Sequence, residues 1–459
     1  MKILYIAHRI PYPPNKGDKI RSFNEIKYLS QRHEIHLACL ADDPKDLKYE
    51  NDLKDFCKTT NVILINPKLA KLKSSIGLIS TKPLSVSYFY SRKLQQTVDH
   101  LLSTNDYDAI FCFSSPMAEY VFKSRLLVSS CLKLDKSLVS GSPVTSDQKL
   151  ASRNQKLIMD FVDVDSDKWA QYSKYARFPK SWIYALEGRR LADYERNVAE
   201  NFDHSIFVTD SEVKIFKNRN PHIKNITAIS NGVDIDYFSP NYLHQESTID
   251  QRPSANERGS STITQHPATI NQQQSSITQP PASSLQQPVI VFTGAMDYYA
   301  NVDGVVWFTK EILPLIKKQI PEIRFYIVGS NPTKEVLSLS DNNDVTVTGY
   351  VPDSREYLNK ATVVVVPLRI ARGIQNKILE AMAMGIPVVA TPQAFEGIEA
   401  KPGRDLILGE DVEKVAEGVI KLIKKVSLRK SLGDNARRII EKNYCWAKNL
   451  EKLDNILIK

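Results

Sequence analysis

The sequence predicts an α/β protein made of two doubly wound domains, and three observations carry that reading. At 459 residues the chain exceeds the roughly 250–300 residues at which a single core stops growing. Short β-branched runs alternate with helix-length amphipathic segments from the first residue onward, the pattern of a parallel sheet with helical crossovers. Around residues 241–287 the composition turns abruptly to Gln, Ser, Thr and Pro, which divides the alternation into two halves.

In the first half, residues 1–240, the expected strands are Ile3–Ala7, Ile35–Leu40, Val62–Ile65, Ala109–Phe113, Leu157–Val162, Ser205–Val208 and Thr227–Ile229. Lys19–Gln31 and Ser181–Glu200 repeat apolar residues at three- and four-residue intervals and read as helices. Met1–Ala7 holds one Lys and a short apolar run, and reads as a buried first strand rather than a leader. The second half, residues 288–459, repeats the scheme with Val289–Thr293, Phe325–Val328, Val345–Thr348, Val363–Pro367, Pro387–Ala390 and Leu406–Leu408. Its last helix is expected to pack back on the first domain.

The 241–287 segment has too little apolar surface to offset its ordering entropy and reads as a disordered insertion. It carries a weak repeat whose isoleucines, Ile249, Ile263 and Ile277, are evenly spaced. A solenoid would need more apolar content per unit, so a tolerated interdomain loop that has expanded is the expectation. Lys136–Asn154 reads as a smaller inserted loop.

Composition narrows the function classes. Apolar residues make up 42% and charged residues 25%, which are globular values, and no apolar run approaches the ~20 residues that span a bilayer. Cys39, Cys57, Cys112, Cys131 and Cys445 show neither CxxC nor any metal-ligand spacing, which agrees with a reduced, cytoplasmic compartment. The net charge of +9 suits polyanions, anionic lipid or a diphosphate alike. Neither zinc-finger spacing nor an RNP-type aromatic motif is present, so no nucleic acid is expected as a partner.

The segment from Val363 to Thr391 reads as buried strand, glycine-bearing loop, helix and buried strand. A helix opening near Gly373 would aim unpaired N–H groups and a positive dipole end at the loop, a favourable place for phosphate. Arg369, Arg372 and Lys377 add positive charge there. Glu380 is expected about two turns into that helix, where a carboxylate can accept hydrogen bonds from ribose hydroxyls. Spacing alone leaves a solvated helix glutamate equally open.

The run Leu379–Thr391 resembles the donor-site signature of retaining family 4 glycosyltransferases of the GT-B fold, as do Asn231–Phe238, Phe292–Asn301, Val328-Gly329 and Gly349–Asp353. The opening His8–Asp18, with Asp160–Ser166, is similar to the sugar transferases associated with bacterial exopolysaccharide and exosortase gene clusters. The resemblance spans the chain apart from its two polar insertions. It implies two Rossmann-like domains facing one another across a cleft, with the nucleotide sugar bound by the second. It also implies that Glu380 holds the ribose, that Gly294 and Gly373 border the donor, and that the backbone at Gly17 comes close to the diphosphate. A plain turn glycine is the alternative for Gly17.

Two departures stand out. The family usually carries a glutamate eight positions before the ribose-binding one, facing the donor sugar; here that position is Arg372, which accepts no hydrogen bonds. Many members also place a basic pair after the first strand of the second domain, whereas Gly294 is followed by Ala295, Met296 and Asp297. Arg372 and Lys377 are therefore expected to supply the missing charge from the opposite side of the cleft, with solvated surface cations as the alternative.

Asp163-Val-Asp165 invites comparison with the metal-chelating Asp-x-Asp of glycosyltransferases of the other main fold. The two-domain layout argues against that, so no metal is expected and Asp163 is assigned to the acceptor side, with Asp165 or Ser166 as a helix cap. His8 is read either as approaching the diphosphate or acceptor or as a capping residue. Lys68–Ile79 is basic and then apolar; in related lipid-acceptor enzymes such a surface touches the membrane, and an ordinary surface helix is the alternative.

The resemblance implies transfer of a sugar from a nucleoside diphosphate sugar, with no further cofactor, to a hydroxyl of a growing, lipid-linked glycan, with retention at the anomeric carbon. Asp163, Arg372 and Lys377 would serve the chemistry. Gly17, Gly294, Arg369, Gly373 and Glu380 would hold the donor. A dehydrogenase would need a G-x-G-x-x-G turn after the first strand, and His8–Gly17 has none. A non-catalytic GT-B subunit that binds nucleotide or glycan is the remaining alternative.

Overall fold

The computed structural model describes residues 1–79, 81–124, 127, 155–240, 287–371 and 373–458. The expected insertions at Lys136–Asn154 and, apart from Gln287, 241–287 lie outside the described residues, and so does Arg372.

Two all-parallel sheets form the body. The first has seven strands, β1 (Lys2–Ala7), β2 (Glu34–Ala41), β3 (Thr59–Leu64), β4 (Ala109–Phe113), β5 (Lys156–Val162), β6 (His204–Phe207) and β7 (Ile226–Ala228), in the order β3-β2-β1-β4-β5-β6-β7. The second has six, β8 (Val289–Thr293), β9 (Arg324–Val328), β10 (Val345–Gly349), β11 (Val363–Val366), β12 (Val388–Ala390) and β13 (Ile407–Leu408), in the order β10-β9-β8-β11-β12-β13. Strands with helices on both faces are buried on both sides. Ile3 to Ala7 of β1 and Val363 to Val366 of β11 are accordingly without exposed side chains. One strand starts earlier than its apolar run: β3 opens at Thr59 because Thr59 and Thr60 pair with His36 and Leu37 of β2. Its half-buried position at the sheet edge tolerates the hydroxyls that hide it in sequence.

Strand order reverses beside β1 in one sheet and beside β8 in the other. In open parallel sheets such switch points leave a crevice at the carboxyl ends of the strands, where ligands bind. The loops after β1, β5, β8 and β11 meet there.

The chain crosses between the domains at both ends of the second one. Before the linker, Arg355 donates to the Tyr237 carbonyl (3.1 Å) and Arg437 to the carbonyls of Ile235 (3.1 Å) and Phe238 (2.9 Å), so this stretch already rests on the second domain. At the other end, the helix Trp446–Ile458 adds Leu450, Leu453, Ile456 and Leu457 to the core cluster of the first domain that also holds Ile3, Tyr5 and Leu37.

Candidate active site

The second domain contributes a turn that only glycine can make. Gly294, after β8, has φ +155°, and a Cβ there would lie 2.7 Å from Asn301 Nδ2 and 3.4 Å from Lys377 Cε. Both side chains thus lie directly on the turn. The Lys377 ammonium donates to Asn301 Oδ1 (2.8 Å) and sits 4.9 Å from the centre of the Phe292 ring. Asn301 in turn donates to the Ala295 carbonyl (2.8 Å), which fixes its orientation. Burial brings Lys377 down to about 8 against the pull of Glu380. Burial likewise pushes Glu380 up to about 7 against the pull of Lys377. The two lie on one helical face, three residues apart, where side chains meet.

That helix runs Asn376–Ala383, so it opens three residues after Gly373 rather than beside it. Gly373 takes φ +64°, a conformation that ends rather than begins regular helix. Glu380 consequently sits just past the first turn rather than two turns in. Arg369 forms a two-pronged ion pair with Asp303 and lies 5.5 Å from the Trp307 ring centre, half exposed. Its partners differ from those of Lys377, and the structure does not bring it into the Gly294 cluster.

The first domain closes on this surface at two points. Gly17 starts the helix Gly17–Leu29, and a Cβ there would lie 3.9 Å from Asn376 Nδ2. Two helix N-termini, one from each domain, therefore converge in the crevice, and their unpaired amides and dipoles favour an anion between them. Behind them runs a buried polar chain. Tyr5 donates to Glu25 (2.7 Å), and Arg21 pairs with Glu25 (3.1 Å) and Asp160 (2.7 Å). Arg21 also donates to Asn231 Oδ1 (2.9 Å), and Asn231 donates to Asn376 Oδ1 (3.2 Å).

The second point is Asp163. A Cβ on Gly373 would fall 2.2 Å from its Oδ1, so this carboxylate is seated against glycine backbone of the opposite domain. Burial pushes the Asp163 carboxyl up, and Lys168 at 4.0 Å opposes that. Lys168 lies 2.9 Å from Asp165, so an ammonium already occupies the aspartate pair. Among the described residues no group of three or more His, Cys, Asp or Glu could hold a metal ion.

The backbone bearing Asp163 is unusual. Val162 has φ +67°, a costly conformation for a β-branched residue. Buried carboxylates hold alternate amides of the segment. Asp160 accepts from Val162 N (2.8 Å), Glu212 from Val164 N (2.6 Å), and Glu195 from Ser166 N (3.0 Å) and Oγ (2.6 Å). The helix Asp165–Tyr175 is thus capped from two other helices, and not by Asp165 or Ser166 as expected. Burial pushes Glu195 up to about 8. His8 is packed over Phe113 and bonded to Asp18 (3.1 Å), with Nδ1 buried and without a hydrogen-bond partner among the described residues.

Sequence reading missed Arg21, Asn301, Asn376 and Lys168. Asn301 and Asn376 lie inside or beside the family-like motifs, where an amide next to a buried lysine or at a helix start is a usable signal. Arg21 had one as well, a charge set among Ile20, Phe23 and Ile26 on the buried helix face.

Residues 287–425 match the family described as glycosyl transferases group 1. Along nearly its whole length the chain is 19% identical to an uncharacterized 44.6 kDa protein in the cps region of Klebsiella pneumoniae, over 96% of each. It is 27% identical to the capsular polysaccharide biosynthesis glycosyltransferase CapM of Staphylococcus aureus over 30% of this chain and 39% of that protein. Among solved structures, Anabaena HepE in complex with UDP superposes with TM-score 0.60 at 14% identity, covering 100% of this chain and 99% of that one. Sucrose-phosphate synthase from Thermosynechococcus elongatus gives 0.62 at 15% identity, covering 99% and 98%. Such identities show the fold alone. The second domain therefore matches the group 1 glycosyl transferases, on a chain that has the GT-B fold, and the two findings support a glycosyltransferase.

Proposed function

We propose that this chain moves a sugar from a nucleoside diphosphate sugar to a hydroxyl of a growing, lipid-linked glycan in cell-surface polysaccharide synthesis, with retention at the anomeric carbon. The observation that carries the reading is the convergence of two helix N-termini, at Gly17 and Asn376, beside the recessed ammonium of Lys377. The diphosphate lies between them. Glu380 accepts from the ribose hydroxyls, and the turn at Gly294 lets the donor approach backbone.

In the reaction the bond from the anomeric carbon to the diphosphate oxygen breaks, and a bond to the acceptor oxygen forms on the same face. The acceptor proton passes to the leaving phosphate. Charge builds on that phosphate in the transition state, where dipoles and cations already in place stabilise it most. Lys377 supplies one such cation and Arg372, just before Gly373, the second. Asp163, held against Gly373, orients the acceptor hydroxyl. With Lys168 placed on Asp165, the reaction runs without a metal. The protein works on the cytoplasmic face of the inner membrane, which it touches through the surface of Lys68–Ile79.

The reading accords with the complex that the related HepE forms with UDP and glucose and with the capsular role named for CapM. It is tested by incubating the protein with a panel of nucleotide sugars and a membrane extract. Release of nucleoside diphosphate together with a glycosylated lipid-extractable product is expected. Tight nucleotide binding with no turnover of any donor would replace the enzyme by a binding subunit.

A further inference from the structure

The helices Asp165–Tyr175 and Lys180–Asn201 form a hairpin whose base and tip differ in chemistry. At the base Gly188 lies against the backbone of Ser166 and Ala170, and between base and tip Trp169, Tyr172 and Tyr184 pack on one another with ring centres 5.0–6.2 Å apart. At the tip the aromatic side chains have no such cover: Tyr175 is 60% exposed, Phe178 82% and Trp182 51%. Lys174, Arg177 and Lys180 are exposed between them, and no Asp or Glu occurs from Ser173 to Leu186.

We propose that this hairpin tip docks on an anionic phospholipid surface, with Phe178 and Trp182 entering the interface and Lys174, Arg177 and Lys180 against the headgroups. Aromatic rings and long basic side chains favour the boundary between hydrocarbon and water, where each buries its apolar part and keeps its polar end wet. Anionic headgroups add attraction for each basic residue held near the surface. A protein partner fits less well, because lysine is depleted from protein–protein interfaces. A second basic and apolar surface adjoins it. Lys68, Leu69, Lys71, Leu72 and Lys73 are exposed on the helix Pro67–Ile76. Arg190 of the hairpin donates to the carbonyls of Gly77 (2.9 Å) and Leu78 (3.0 Å) just beyond that helix, which fixes the two surfaces relative to each other.

The hairpin begins two residues after Asp163, and its first helix has eleven residues, a rise of about 16 Å. Docking at the tip therefore brings the crevice within reach of an acceptor whose lipid stays in the bilayer. Tyr172, on the same helix, bonds Tyr298 of the opposite domain (2.7 Å), so the docked element also borders the mouth of the site. The proposal deepens the membrane contact of the reading above and moves its main anchor from Lys68–Ile79 to the hairpin.

The test is co-sedimentation of the full-length protein with phosphatidylcholine vesicles, with and without phosphatidylglycerol. Binding is expected only with the anionic lipid. The double change Phe178→Ser with Trp182→Ser should weaken it about ten-fold or more, and Leu69→Ser with Leu72→Ser should weaken it less. Thermal unfolding of each variant controls for folding. Wild type that ignores anionic vesicles overturns the proposal and leaves the surface to a protein partner. A hairpin variant that binds like wild type, or a greater loss in the Leu69 and Leu72 variant, overturns it in favour of the other helix. Affinity for nucleoside diphosphates, measured without vesicles across UDP, GDP and ADP, should be unchanged in all variants; its absence in wild type for every one of them would sink the transfer reading while the vesicle result stood.

Discussion

Lys377 and Glu380 are each drawn toward neutrality by burial, to about 8 and about 7, which is the cost of keeping charges in a recess before a ligand arrives. On the proposed transfer reading, a bound diphosphate would restore the incentive for Lys377 to stay charged, and ribose hydroxyls would do the same for Glu380. Nucleotide affinity should therefore be highest between those two values. It should fall above about 8 as the ammonium loses its proton and below about 7 as the carboxylate gains one. Calorimetric titration with whichever nucleoside diphosphate of a UDP, GDP and ADP panel binds, from about pH 6 to about pH 9, measures both limbs. Glu380→Gln should remove the part of the acid limb that the ligand's own phosphate does not cause, and Glu380→Ala should weaken binding by about 1.5–3 kcal/mol. Unchanged affinity in a folded Glu380→Ala protein removes Glu380 from the ribose. Gly373→Ala is a second test at this scale. A Cβ there meets Asp163 at 2.2 Å on a backbone that costs about 1 kcal/mol or more for a side chain, so turnover should drop well beyond any change in melting temperature. A variant with normal turnover would show that the seat of Asp163 does not matter.

At the scale of elements, the 162–166 segment explains what sequence could and could not reveal. Its strand was legible because a strand buried on both faces is apolar throughout. Its cap was not, because the acceptors Glu195 and Glu212 sit on other helices, 29 and 48 residues away from the amides they hold. The same limit applies to the helix Asn376–Ala383. Its existence follows from apolar periodicity, but its start at Asn376 depends on the turn at Gly373, whose partner Asp163 comes from the other domain. The resemblance pointed to motif positions such as Glu380 and Gly294, which the fold places in or beside the crevice, whereas the amide contacts of Asn231, Asn301 and Asn376 needed the assembled fold. Glu195 also makes the segment sensitive to pH. Its carboxyl is raised from the ordinary 4.5 to about 8, so between those values the folded protein keeps a proton that the unfolded chain releases. Stability should fall as pH rises across that window, by a few kcal/mol at most. In Glu195→Gln that slope should flatten, at a cost of about 1 kcal/mol at the acid end. Urea unfolding at several pH values decides it, and an unchanged slope would remove Glu195 as the source.

At the scale of the whole molecule, the two domains are joined by exchange rather than by the linker alone. The stretch before the linker is pinned on the second domain by Arg355 and Arg437, and Ile235 and Phe238 pack against that domain's core. The terminal helix Trp446–Ile458 returns the exchange by burying Trp446, Leu450, Leu453, Ile456 and Leu457 on the first domain. Burying each such side chain is worth about 1.5–3 kcal/mol, so the five together rival the roughly 5–15 kcal/mol by which a domain is stable at all. Truncation after Cys445 should accordingly lower the melting temperature sharply or leave the first domain unfolded. Replacing residues 241–286 with a flexible Gly/Ser linker should leave both the melting temperature and nucleoside diphosphate affinity near wild type, because the pinned stretch ends before that segment. The pair of variants separates the two joints: a linker replacement that melts early would show that the polar segment packs on the domains, and a truncation that melts like wild type would show that the first domain stands without its borrowed helix. The two crossings between the domains, at residues 231–240 and at Tyr444–Trp446, meet where Val233 pairs with Cys445. Closure on a donor would then turn about that bridge, carrying Gly17 and Asp163 toward the helix at Asn376.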